Sequence, residues 1–146
     1  MAIPVKIVGD GYDANVTPIG QVVVGAYSYD EVMFNELAEP DTGYNFFNPK
    51  THQQFVITGI IAKADKQVSG TVDADVVIYE TTTTAETTVD KVLLQLTMVE
   101  GDLIQIPALN IKVNAGKFIN AKTTDDDIHM TITGYYIPEL IDSNGV

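Results

Sequence analysis

The sequence predicts an all-β fold, a two-sheet antiparallel jelly-roll sandwich of about eight strands. Two observations carry that expectation. From residue 51 to 138 the runs FVITGIIAKA, ADVVIYE, KVLLQLTMVE, DLIQIPALNIKV, KFINAK and IHMTITGYYIP follow one another with turn residues between them. Strands at this spacing indicate a sandwich or barrel, not a helical or α/β chain. The length, 146 residues, suits one domain with a single core. A seven-stranded immunoglobulin-like sandwich is the alternative, without the Cys–Trp–Cys signature that marks many of its members.

The leading segment, residues 1–50, is interrupted by Gly9, Gly11, Pro18, Gly20 and Gly25. Its first residues, MAIPVKIVGDGYD, lack the basic start and the apolar stretch of a signal peptide. QVVVGAY is strand-like. In DEVMFNELAE, Val32, Met33 and Leu37 lie near helical spacing, but Pro40 would end a helix early, and a strand is equally compatible. YNFFNPKT reads as a strand with a turn at Asn48–Pro49. This segment is too short for a core of its own. It is expected either to complete the sheets of the body, residues 51–138, or to act as an extended arm that reaches a neighbouring subunit. Residues 139–146 form a polar tail, expected to be mobile.

Within the body, Phe55–Ala62 is apolar at both alternations, as in a strand covered on both sides. Val76 and Ile78 alternate with Val77 and Tyr79. TTTTAETTVD is low in complexity and reads as an exposed loop. Val92, Leu94, Leu96 and Met98 are expected on one face of the next strand. Glu100–Gly101–Asp102 reads as a tight turn joining two antiparallel strands, with Gly101 supplying a positive φ. Pro107 marks a strand end or an edge, and Asn114–Ala115–Gly116 another turn. In the last strand Ile128, Met130, Ile132, Gly134 and Tyr136 share one face, and His129, Thr131, Thr133, Tyr135 and Ile137 the other.

Charge narrows the function classes. Eight Lys, no Arg and twenty Asp plus Glu give a net charge of −12. Nucleic-acid binders neutralise phosphates with Lys and Arg, so no nucleic-acid partner is expected. An anionic membrane surface is disfavoured on the same ground, and no apolar run approaches the roughly 20 residues of a membrane-spanning helix. The chain has no Cys, hence neither a disulfide nor a thiol nucleophile.

Catalytic parts are scarce. Ser28, Ser69 and Ser143 lack a nucleophile-elbow motif, and His52 and His129 are far apart in sequence. No enzyme activity is expected. Asp125–Asp126–Asp127, with Asp73 and Asp75 as partners from another loop, offers oxygen ligands. Asp125 and Asp127 are therefore candidate calcium ligands, although the spacing is not that of an EF-hand and a solvated turn has the same composition. Calcium apart, no cofactor is implied. Aromatic residues suggest contact surfaces. Tyr27, Tyr29, Phe34 and Tyr135 are the candidate partner-binding residues, whereas Phe46 and Tyr136 are expected to plug the ends of the sandwich.

The series YNFFNPKTHQQFVITGIIAKADKQV, DADVVIYE, KVLLQLTMVEGDLIQIPALNIKV, GKFINAK and IHMTITGYYIP, over about residues 44–138, resembles small virion proteins of tailed bacteriophages. The resemblance rests on strand order and general character. It implies a jelly-roll domain, often trimeric, serving as a capsid decoration (cement) protein, a head fibre or a tail part. The expected partners are then its own copies and a major capsid protein or another virion protein, and the expected location is the virion. The alternative is a carbohydrate-binding or receptor-binding module of a fibre or tail.

Overall fold

A computed structural model of the chain describes residues 8–9, 12–13, 31–65, 73–84, 87–125 and 127–138. These residues form eleven strands and no helix: β1 (Val8–Gly9), β2 (Tyr12–Asp13), β3 (Glu31–Leu37), β4 (Tyr44–Phe47), β5 (Gln53–Ala64), β6 (Ala74–Thr81), β7 (Lys91–Met98), β8 (Leu103–Ile106), β9 (Ile111–Lys112), β10 (Phe118–Thr123) and β11 (Ile128–Pro138). The first two pair only with each other. The rest make two antiparallel sheets, one ordered β4-β10-β6-β7 and one ordered β3-β11-β5-β8, with β9 also on β5.

The topology is a jelly roll. If β8 and β9 are taken as one interrupted strand, the sandwich has eight strands, and their chain positions read 2-7-4-5 in one sheet and 1-8-3-6 in the other. First pairs with last, second with seventh, third with sixth and fourth with fifth. This is one long antiparallel hairpin, doubled at the 82–90 loop and rolled so that its two arms alternate between the sheets. The expected fold class is thus observed.

The core lies between the sheets. Its fully buried members include Leu37, Ile57, Ile60, Val76, Ile78, Met98, Ile119, Ile128, Met130 and Ile132. Three β-bulges modify the simple alternation. In β4, Ile119 pairs with Phe47 and Asn120 with Asn45, so Phe46 is the extra residue. The consecutive rings of Phe46 and Phe47 consequently both reach the core. In β7, Ile78 pairs with Leu94 and Tyr79 with Val92, so Leu93 is extra. Leu93 and Leu94 both pack on the core, while Val92 turns outward and is exposed. The expectation that Val92 shares a face with Leu94 is corrected by this bulge. In β5, Thr58 is skipped between Gly59 and Ile57. Its carbonyl instead accepts from Leu109 N at 2.8 Å, inside the break between β8 and β9 that starts after Ile106, at Pro107.

One open alternative is decided and one turn changes character. DEVMFNELAE is a strand: β3 pairs along seven residues with β11, because Leu37 must enter the core and Asn35 reaches Asn45 O at 3.1 Å. Of the leading segment, β3 and β4 are hydrogen-bonded members of the two sheets, so this part completes the sheets of the body. The Val99–Asp102 turn is closed by Asp102 N on Val99 O at 3.0 Å, with Gly101 at φ 80°. However, β7 and β8 lie in different sheets, so the turn is a corner between layers and not a hairpin. The Asn114–Gly116 turn, with Gly116 at φ 74°, likewise passes from one sheet to the other. Residues 139–146 lie outside the described residues.

Candidate interaction surface

The outer faces of the two sheets differ. On the four-stranded sheet, Tyr79, Thr81 and Asn120 point outward yet are fully buried. The threonine-rich loop after β6 crosses them: Asn120 Nδ2 donates to the carbonyls of Thr83 (3.4 Å) and Thr84 (3.2 Å). Asn120 Oδ1 accepts from Asn45 Nδ2 at 3.0 Å. The loop is exposed, as expected from its composition, but it also roofs this face. Buried amides of this kind are costly unless bonded, which ties the loop to β10.

The outer face of the five-stranded sheet is more open. Register and alternation place three rows on it: Glu36–His129–Lys63–Leu103, Phe34–Thr131–Ile61–Gln105 and Val32–Thr133–Gly59. Past the Thr58 bulge the next row is Tyr135–Val56–Lys112. Four large apolar side chains on this face are open to solvent: Leu103 (67% exposed), Val32 (62%), Phe34 (59%) and Ile61 (40%). Single exposed apolar residues are ordinary, whereas four on one sheet face suggest a contact surface.

A polar group borders the patch. His129 Nε2 lies 2.7 Å from Asp65 Oδ2, and Lys63 Nζ 3.2 Å from Asp65 Oδ1. The hydrogen bond with His129, then that with Lys63, holds the Asp65 carboxyl below its usual range. The Phe34 ring stacks on His129 with centroids 6.0 Å apart and planes 12° from parallel. Phe34 is thus oriented despite its exposure.

Of the four candidate partner-binding residues, Phe34 and half-buried Tyr135 share this outer face. Tyr27 and Tyr29 lie outside the described residues. Ile61 and Leu103 belong to runs that are apolar at both alternations, and such a pattern does not reveal which side is covered. The signal was their place in the alternation opposite Ile60 and Ile104.

The expected end plugs are positioned by the groove between β3 and β4, about 340 Å³, which Phe46 and Tyr136 line with Met33, Lys50 and Glu31. Tyr136 OH donates to Asn48 O at 2.7 Å, its ring meets Phe55 edge-on at 4.8 Å, and Lys50 Nζ sits 3.8 Å above the ring. Lys50 also pairs with Glu31. Burial, with a contribution from Glu31, pushes the Tyr136 phenol up to about 12. A second cleft, about 440 Å³, is open and lined by Lys50, Thr51, His52 and Gly116 among others.

Around the candidate calcium ligands Asp125 and Asp127 the backbone is hydrogen-bonded. Asp125 N donates to Thr123 Oγ1 at 3.2 Å, and Asp127 O accepts from Asp65 N at 3.0 Å with Asp127 at φ 61°. Asp75 Oδ1 is engaged by Thr97 Oγ1 at 2.7 Å. Among the described residues no group of three acidic, His or Cys side chains could hold a metal ion. Asp126 lies outside them. Among the same residues no helix is long and apolar enough to cross a membrane. Comparison of the chain with family models, with curated proteins and with solved structures finds no match.

Proposed function

We propose that the chain is a structural virion protein, a capsid decoration protein that acts by adhesion, as a homotrimer on a major capsid protein. The observation that supports this reading most is the apolar outer face of the five-stranded sheet, carried on a jelly roll whose other outer face is partly covered by its own loop. Adhesion needs area and shape complementarity in place of reactive groups, and the face offers a rigid sheet with side chains fixed by register. In this reading Phe34, Ile61 and Tyr135 contact a neighbouring copy or the particle. The test is co-sedimentation with heads of the encoding phage that lack the protein. Wild type is expected to sediment with the heads, and Phe34→Glu to remain in the supernatant while folded. Wild type that stays in the supernatant would contradict the reading.

One observation favours a second reading, a carbohydrate-binding module. An exposed aromatic ring, Phe34, stands beside the carboxylates Glu36 and Asp65 on one sheet face, and rings with adjacent hydrogen-bonding groups suit the apolar and hydroxylated faces of a sugar. A glycan array separates the readings: an adhesion protein leaves it blank.

A further inference from the structure

The most unusual polar group of the described structure lies away from that face. Glu80 is the fourth inward position of β6 and is 1% exposed. Its Oε1 accepts from the backbone N–H of Asn114 at 2.6 Å, and its Oε2 from Asn114 Nδ2 at 2.8 Å. Lys91 Nζ, on the paired strand, is 3.8 Å from Oε1. Asp90, the acid next to Lys91 in sequence, is engaged by Lys117 Nζ at 2.7 Å. One buried carboxylate thus holds an amine on one oxygen and a carboxamide on the other.

We propose that Lys91 and Asn114 are joined by an intramolecular isopeptide bond, with Glu80 as the proton carrier. The components are a nucleophilic amine, an amide carbon and a general acid–base between them. Glu80 Oε1 takes a proton from the Lys91 ammonium. The neutral Nζ attacks Asn114 Cγ and the N–C bond forms. The Cγ–Nδ2 bond breaks as Glu80 passes its proton to Nδ2, and the second proton lost by Nζ leaves with the nitrogen as ammonium. Glu80 ends as the carboxylate it began as. The net change is a lysine ammonium plus an asparagine amide giving a secondary amide plus ammonium, with no oxidant and no co-reactant.

The location gives the bond a mechanical role. Lys91 opens edge strand β7, and Asn114 lies in the connection that brings the chain from β9 to β10, between the sheets. The link would close a covalent loop around β7, β8 and β9 in a chain that has no Cys and so cannot use a disulfide. Half of the Lys91 side chain is open to water (52% exposed), and the attack needs its amine in the neutral form, so the reaction is expected to accelerate in alkali.

The test is intact-mass spectrometry of the purified chain, before and after prolonged incubation at neutral and mildly alkaline pH, with peptide mapping. The expected mass is below that of the sequence by one ammonia, with Lys91 and Asn114 peptides joined. Lys91→Arg, a change at a solvent-facing amine, should keep the fold and restore the full mass. Asn114→Ala and Glu80→Gln should do the same where they fold. Full mass in wild type under every condition would overturn the proposal. So would a deficit that persists in Lys91→Arg, or an Asn114 that is merely hydrolysed to Asp.

Discussion

Gly134 shows how much a single position can carry. A Cβ there would lie 2.2 Å from Val56 O and 2.5 Å from the Phe55 ring. Neither the backbone of β5 nor a ring stacked on Phe47 at 4.2 Å can yield easily. Gly134→Ala is therefore expected to cost about 2–3 kcal/mol by overpacking, measured by urea denaturation. Thr81 has the opposite sign. Its Oγ1 is buried without a hydrogen-bond partner among the described residues, so the nearly isosteric Thr81→Val should raise stability by about 1 kcal/mol. Tyr136 gives a pH test. Its folded pKa, about 12, is above the ordinary 10.0, so the protonated phenol is favoured in the fold. The resulting stability is complete below about pH 10 and is lost as pH rises towards 12. Tyr136→Phe should flatten that alkaline limb. Asp65 acts at the acid end: its lowered pKa contributes stability above the ordinary carboxylate value that is lost as pH falls through the folded one, and Asp65→Asn should remove this contribution.

At the scale of elements, strands were legible in the sequence and bulges were not. Alternation in Ile128–Tyr136 identifies a strand and its buried face, because side chains of a strand point to opposite sides. An extra residue at Phe46, Thr58 or Leu93 leaves no local mark. It is set by the partner strand's spacing, and so simple alternation puts Val92 on the face opposite to the one it occupies. Turn chemistry has the same limit. Gly101 and Gly116 announce turns through their positive φ, but not whether the chain returns to the same sheet or crosses to the other. Strand β3 was equally ambiguous, since DEVMFNEL satisfies either period until β11 provides its ladder. Its membership has a consequence for truncation. Removal of residues 1–40 deletes an edge strand and the fully buried Leu37. The remainder is expected to lose cooperative thermal unfolding, and Leu37→Ala alone should cost about 2–5 kcal/mol.

For the whole molecule, two faces of one sandwich have different fates. The four-stranded sheet is covered around Tyr79, Thr81 and Asn120, where the loop is bonded to Asn120, and leaves Val92 exposed at its edge. The five-stranded sheet exposes Val32, Phe34, Ile61 and Leu103 beside the His129–Asp65 pair. The candidate surface was half visible in the sequence: Phe34 and Tyr135 stood out as aromatics, while Ile61 and Leu103 needed the strand order to join them. In the proposed function the open face of the five-stranded sheet is the assembly surface. Size-exclusion chromatography with light scattering on wild type and on the Phe34→Glu, Ile61→Glu double variant tests it most directly. Wild type is expected at three times the chain mass and the variant at a single chain that still unfolds cooperatively, because both side chains are exposed. A wild type that stays monomeric at high concentration, or a trimer indifferent to both charges, would contradict it.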